Sequence, residues 1–210
     1  FGRYDGRLGL RLNDGGKTSP LTINLADGPL SQRLKQASPK KELLARACGV
    51  TKKVAPRLLD ASGGLARDAL VLATCGARVT LIERNPFLFQ MLHEMAKEAA
   101  SLLGLEIEVK EGDAKGLGLD ELSGFDTIYF DPMFPERSKS AAVKLEMQVL
   151  QALHGGPDED AEASLAHLLK AKAHRTVIKR PVKAPELEGL PRPNLRMRNA
   201  TLRFDVWLDF

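Results

Sequence analysis

The residues best suited to chemistry are Asp131-Pro132-Met133-Phe134-Pro135. They follow the apolar run Thr127-Ile128-Tyr129-Phe130, which reads as a buried strand. An acid, a proline and an aromatic at the carboxyl end of a core strand make a seat for a flat amine. The Asp131 carboxylate and the Pro132 carbonyl accept hydrogen bonds from an exocyclic NH2, and the ring of Phe134 stacks on the base that carries it. A nucleobase amine is a poor nucleophile because its lone pair is delocalised into the ring. Two acceptors on the NH2 free that lone pair and stabilise the positive charge that grows on nitrogen, which is a transition-state effect. Methyl transfer is an in-line displacement in which positioning does much of the work, so no strong general base is required. Asp131, Pro132 and Phe134 are therefore the predicted catalytic residues. Met133 replaces the second proline of the common Asp/Asn-Pro-Pro-aromatic pattern.

A methyl donor needs its own pocket. Asp60-Ala61-Ser62-Gly63-Gly64-Leu65-Ala66-Arg67-Asp68 joins a predicted strand to a predicted helix. Small residues such as Gly63 let the backbone approach a ligand, and the helix start offers free NH groups. A strict GxGxxG is absent, so the turn alone is also compatible with a plain strand-to-helix connection. Glu83 ends the next strand, about 20 residues on, where an acid accepts hydrogen bonds from ribose hydroxyls. Gly112-Asp113 follows the third strand and suits the adenine amino group. Four successive strand ends, Asp60, Glu83, Asp113 and Asp131, thus carry acids along the edge where doubly wound sheets bind ligands. Acids suit the cation S-adenosylmethionine better than they suit a pyrophosphate, which favours it over NAD.

The elements that hold these residues alternate. Residues 57–61, 79–83, 107–111, 127–131 and 175–179 read as strands. Residues 65–74, 86–103, 141–153 and 161–171 read as helices. The expected fold is α/β: a class I, Rossmann-like methyltransferase with a doubly wound, mainly parallel sheet. Strands near 195–198 and 204–210 form the expected C-terminal antiparallel hairpin. Residues 8–12 and 21–25, around Asn13-Asp14-Gly15-Gly16, read as a β-rich N-terminal hairpin, and 39–48 as a helix with Pro39 at its first position. The expected division is an N-terminal extension over 1–50 and a methyltransferase domain over 51–210.

With 210 residues, 43% of them hydrophobic, the chain buries one core. No signal peptide or membrane-spanning run is read, and Cys48 and Cys75 lack CxxC spacing. A cytoplasmic protein without disulfides is expected. The four histidines are scattered, so no metal is expected. A net charge of +4 fits an RNA-binding enzyme without demanding one.

Taken together, the loop at 60–68, Glu83-Arg84-Asn85-Pro86, Asp131-Pro132-Met133-Phe134-Pro135, Lys139-Ser140-Ala141-Ala142-Val143-Lys144-Leu145-Glu146-Met147 and Lys179-Arg180-Pro181 resemble the bacterial ribosomal RNA small subunit methyltransferase J family. The resemblance spans roughly residues 55–207. It implies S-adenosylmethionine as donor and N2-methylation of a guanosine in 16S rRNA. It also implies donor-site roles for Arg67, Asp68, Glu83, Arg84, Gly112, Asp113 and Asp131. Ala66 stands where the family carries glycine, and 31–42 lack the family's glycine-rich basic run.

Arg137 and Lys139 after the motif, and Lys179 and Arg180 at the end of the fifth core strand, are the predicted RNA contacts, gripping phosphates rather than reading bases. The target base must be unpaired or flipped to reach Phe134. The partner is 16S rRNA or the 30S subunit, and a monomer suffices. The alternatives are a DNA amino-methyltransferase acting on adenine N6 or cytosine N4, a nicotinamide-dependent oxidoreductase, and a non-catalytic RNA-binding module.

Overall fold

The structure, a computed structural model, describes residues 1–12, 18–132, 145–154 and 160–209. Chain order begins with β1 (Gly2–Tyr4), β2 (Arg7–Leu10) and β3 (Leu21–Thr22), then α1 (Gly28–Gln36) and α2 (Leu43–Ala47). β1 and β2 are joined by Asp5-Gly6, both at positive φ, with Tyr4 opposite Arg7. This two-residue turn matches strand twist and explains the extra strand that the sequence reading lacked. β2 pairs antiparallel with β3, as expected, but both strands are shorter than 8–12 and 21–25. The turn cluster at 13–16 lies outside the described residues. α1 was not foreseen; Pro29 in its first turn and buried Leu34 were its signals. The helix expected over 39–48 starts only at Leu43, because the Ser38 carbonyl accepts the NH groups of Lys41 and Glu42 and closes a turn first.

The alternating part follows: β4 (Arg57–Asp60), α3 (Arg67–Thr74), β5 (Arg78–Glu83), α4 (Pro86–Leu103), β6 (Ile107–Glu111), a 3-10 turn at Ala114–Gly116, α5 (Leu119–Ser123), β7 (Thr127–Phe130), α6 (Leu145–His154), α7 (Ala161–Lys170), β8 (Arg175–Pro181), β9 (Leu195–Arg198) and β10 (Leu202–Leu208). α4 shows how closely local chemistry sets the bounds. The Asn85 side chain accepts the NH groups of Phe87 and Leu88, Pro86 occupies the first turn, and Gly104 ends the helix at φ 64°. Its buried residues Leu88, Met91, Leu92, Met95 and Ala99 form one stripe.

The large sheet has the order β6-β5-β4-β7-β8-β10-β9. Its first five strands are parallel, and β10 runs antiparallel between β8 and β9. Successive strand residues alternate between two cores. Leu58, Leu81, Tyr129, Val177 and Val206 face the side of α3, α4 and the N-terminal elements. Leu59, Ile82, Ile128, Ile178 and Trp207 face the side of α5 and α7. That is the period of a pleated strand between two helical layers. The N-terminal residues Leu10, Leu21, Leu25 and Leu34 join the first core, so the extension shares its apolar burial with the sheet. The chain leaves β4 to one side and returns through β7 to the other, and this reversal opens a crevice at the ends of β4 and β7.

β10 also carries a buried charge. Asp205 is 1% exposed and lies 3.1 Å from Arg203, 3.2 Å from Arg196 and 3.6 Å from Arg180. Arg203 additionally donates to the carbonyls of Val182, Ala184 and Pro185, fixing the loop after β8. Removing the acid from such a set costs about 3–5 kcal/mol, because the guanidinium charges stay buried. Asp205→Asn is expected to lower the urea midpoint accordingly; a loss below ~1 kcal/mol would show that other groups neutralise Arg180 and Arg203.

Candidate active site

The crevice is built first by the turn from β4 to α3. One carboxylate oxygen of Asp60 accepts both the backbone NH and the hydroxyl of Ser62, each at 3.1 Å. The Ser62 hydroxyl oxygen in turn accepts the backbone NH of Asp131 at 2.7 Å. Ser62 therefore ties the end of β4 to the end of β7, and the carbonyl of Tyr129 accepts the NH of Ala61 at 2.8 Å beside it. Gly63 is required sterically: a Cβ there would lie 2.9 Å from the Cβ and Oε2 of Glu83. Gly64 and Ala66 both sit in the left-handed region, at φ 51° and 54°. Ala66 is thus an L-residue in a conformation that favours glycine, at a cost of about 1–2 kcal/mol.

Glu83 ends β5 and is 4% exposed. One of its oxygens accepts the NH of Gly64 at 2.8 Å and the other the NH of Asn85 at 2.7 Å. Both oxygens are thus oriented at the wall of the crevice. Gly112, at φ 148°, donates its NH to the Glu83 carbonyl and brings Asp113 to the same edge. Asp113 faces Arg84 at 3.7 Å and Lys115 at 4.0 Å. Lys115 also pairs with Asp160, which starts α7 without capping it through its side chain.

A run of alternating charges crosses the crevice. The Lys179 ammonium donates to Asp131 at 2.6 Å and to Asp68 at 2.8 Å. Asp68 also accepts the Tyr129 hydroxyl at 2.7 Å and faces Arg33 of α1 at 3.5 Å. Burial works against both carboxylates, but Asp68 has three positive or donating neighbours and falls below the ordinary carboxylate range. Among the described residues Asp131 has Lys179 to offset burial and the repulsion of Asp68, and it is pushed up to about 6. Burial raises Asp60 to about 7 despite its bonds from Ser62. Lys179 loses solvation too, but its two carboxylates outweigh that and hold it charged.

The structure brings Asp60, Gly63, Arg67, Asp68, Glu83, Arg84, Gly112, Asp113, Asp131 and Pro132 around one cavity of about 740 Å³. Arg67 at the start of α3 pairs with Glu146 of α6 across it. Two expected phosphate contacts are placed otherwise. Lys179 is held between two acids, and Arg180 is 3% exposed and faces Asp205, so neither presents a free charge to a backbone phosphate. Phe134, Arg137 and Lys139 lie outside the described residues. Ser62, Tyr129 and Arg33 were not singled out as site residues. A hydroxyl in the apolar run 127–130 was the available signal for Tyr129; Arg33 sits on a helix the sequence reading missed. Among the described residues, no group of three potential metal ligands is found and no helix is long and apolar enough to cross a membrane.

Against known proteins, residues 3–209 match the family described as "Putative SAM-dependent methyltransferase". The chain is 40% identical over 209 residues to the ribosomal RNA small subunit methyltransferase J of Alcanivorax borkumensis, covering 99% of this chain and 83% of that one. It is 36% identical over 199 residues to the protein of the same name from Chromohalobacter salexigens, covering 90% and 77%. Among solved structures, a SAM-dependent methyltransferase of Neisseria gonorrhoeae superposes with a TM-score of 0.70 at 25% identity, over 96% of this chain and 79% of that one. Magnesium protoporphyrin IX methyltransferase of Synechocystis, solved with SAM bound, shares the fold at a TM-score of 0.53 and 15% identity, over 89% and 88%.

Asp60 supplies a test of this electrostatic picture. Its folded value of about 7 lies above its ordinary 3.8, so the folded protein holds a proton that the unfolded chain releases. The stability this contributes is full below 3.8 and is lost as pH rises through 7. Asp60→Asn keeps an acceptor for Ser62 and cannot ionise. Its melting temperature relative to the parent is therefore expected to improve steadily from pH 5 to pH 8. A difference that stays flat with pH would mean that Asp60 is ionised throughout.

Proposed function

The chain belongs to the SAM-dependent methyltransferase family, and from that membership we propose that it methylates ribosomal RNA, on the exocyclic N2 amine of a guanosine in 16S rRNA. Membership sets aside the nicotinamide-dependent alternative. The observation that carries the reading is the meeting, in one cavity, of Asp131 with the acids that end the neighbouring strands, Asp60, Glu83 and Asp113. The choice of ribosomal RNA follows the names of the relatives, and the N2 amine follows the resemblance of the Asp131 motif.

The residues fit the donor. The cavity's volume lies in the range of small-molecule sites. Gly63 lets the turn after β4 close against Glu83, Glu83 ends β5 where ribose hydroxyls would be read, and Asp113 follows β6 where an adenine amine would be read. Arg67, Asp68 and Arg84 complete the rim. S-adenosylmethionine supplies, when bound, an electrophilic methyl group on a sulfonium.

The chain's own residues then do the positioning. Ser62 fixes the backbone of Asp131, Lys179 fixes its carboxylate, and Asp131 with the Pro132 carbonyl orients the amine so that its lone pair points at the methyl carbon. The amine's proton leaves to solvent once the nitrogen is alkylated, since the ammonium so formed is strongly acidic. Phe134 stacks on the base, and Arg137 and Lys139 grip phosphates beside it. Residues 1–50 form an extension onto the methyltransferase domain of 51–210, and Arg33 makes that extension a wall of the site.

Incubation with radiolabelled S-adenosylmethionine and unmodified 16S rRNA, 30S subunits or duplex DNA tests this directly. N2-methylguanosine in RNA is expected; label in DNA alone would replace the reading with a DNA amino-methyltransferase. Asp131→Ala is expected to lower kcat by roughly 10²–10³-fold, as for loss of one transition-state hydrogen-bonding partner. Glu83→Gln exchanges an acceptor for a donor and is expected to weaken S-adenosylhomocysteine binding about tenfold by calorimetry. Unchanged binding would remove Glu83 from the donor site.

A further inference from the structure

Lys179 is the cation in contact with Asp131 among the described residues, and it is shared. Its ammonium has three donors, of which one goes to Asp131 at 2.6 Å and one to Asp68 at 2.8 Å. Its side chain is 21% exposed, so it cannot be exchanged freely for water. We propose that Lys179 is a positioning residue for the proposed reaction: clamped between Asp68 and Asp131, it aims the Asp131 carboxylate at the substrate amine and keeps it charged, while Asp68 decides how much of the ammonium Asp131 receives. This rests on the reading of Asp131 as the amine's acceptor.

The surroundings of Asp131 make the clamp necessary. Lys179 faces it from β8, Asp68 from α3, Asp60 from β4 and Tyr129 from β7, with Ser62 holding its backbone NH from the intervening turn. Asp60 is buried, the side chains of Asp68 and Asp131 are 14% and 35% exposed, and among the described residues one ammonium is in contact with Asp131. Arg33 stands one step further out, against Asp68. Without Lys179, burial and the repulsion of Asp68 would protonate Asp131 near neutral pH. A protonated Asp131 offers an OH where the amine needs an acceptor. Asp68 acts in the opposite sense. It repels the Asp131 charge and draws the ammonium to itself, and the Tyr129 hydroxyl and Arg33 keep it ionised in that role. The clamp consequently predicts two responses of opposite sign from two neighbouring substitutions.

The test is a pH titration of carboxyl-13C aspartate signals in the full chain without substrate, with Asp131 identified by its loss in Asp131→Asn. The parent midpoint is expected near 6. Lys179→Met is expected to raise it by about one unit or more, Lys179→Arg to hold it within about half a unit, and Asp68→Asn to lower it. A midpoint unmoved in Lys179→Met, or moved the same way by Lys179→Met and Asp68→Asn, overturns the proposal. Where Lys179→Met does not fold, Lys179→Gln takes its place, with the same rise expected and the same unmoved midpoint overturning the proposal. Methyl transfer to 16S rRNA separates the clamp from the reading on which it rests. An acid limb of kcat that moves with the Asp131 midpoint across the variants supports both. Opposite midpoint shifts without RNA methylation by the parent uphold the clamp's charge control and overturn the amine reading. RNA methylation with an acid limb that ignores Lys179 overturns the clamp alone.

Discussion

The constraint on which the rest depends is the burial of carboxylates at the carboxyl edge of the sheet. An ionised acid removed from water must find donors or give up its charge. Each acid here is answered differently. Glu83 is met by two backbone NH groups, and that arrangement requires the turn after β4 to fold back against β5 with Gly63 at the contact and Gly64 in the left-handed region. Asp60, bonded by Ser62 among the described residues, is driven by burial toward its neutral form. Asp68 and Asp131 divide one ammonium. The conformation of the loop, the glycines it needs and the placement of Lys179 on β8 are all consequences of holding negative charge where water is scarce.

The opposite charge is buried at the antiparallel end of the sheet, and the contrast explains the division of labour between the two edges. Asp205 on β10 is the acid among Arg180, Arg196 and Arg203. Arg180 follows Lys179 directly on β8, and alternate strand residues point to opposite faces. Lys179 therefore turns to Asp68 and Asp131, whereas Arg180, which also lines the cavity, turns to Asp205 from the other face of the sheet. Reading Lys179-Arg180 as a single basic patch overlooks that alternation, which is why neither residue appears as an exposed phosphate contact.

Much of the fold was legible because the signals are local. The strands of the parallel sheet are short apolar runs closed by turn residues, and α4 carries its cap, its proline and its terminal glycine in the expected places. The acids at the strand ends followed from strand assignment and the rule for doubly wound sheets. What was missed depends on partners distant in sequence or on weak local propensity. α1 is nine residues long with few apolar positions, and packing of Leu34 against the shared core holds it in place. Without α1, Arg33 is one basic residue among many. Tyr129 looks like any core residue until Asp68, in the first turn of α3, receives its hydroxyl.

The acid surplus also bears on which ligand the crevice prefers. A dinucleotide places two phosphates at the start of the first helix, where NH groups and the helix dipole stabilise negative charge. Here that helix start carries Asp68, and Asp60, Glu83 and Asp131 border the same space. Lys179 is already committed to two of these acids. A pyrophosphate would meet these carboxylates, with Arg67 at the same helix start already paired to Glu146. A sulfonium instead offsets the burial and carboxylate repulsion that push Asp60 and Asp131 toward protonation. The binding of a cationic donor and the ionisation of Asp131 are thermodynamically linked, so each favours the other. The carboxylate would then be most fully charged when the methyl group is in place, which is when an acceptor for the amine is needed.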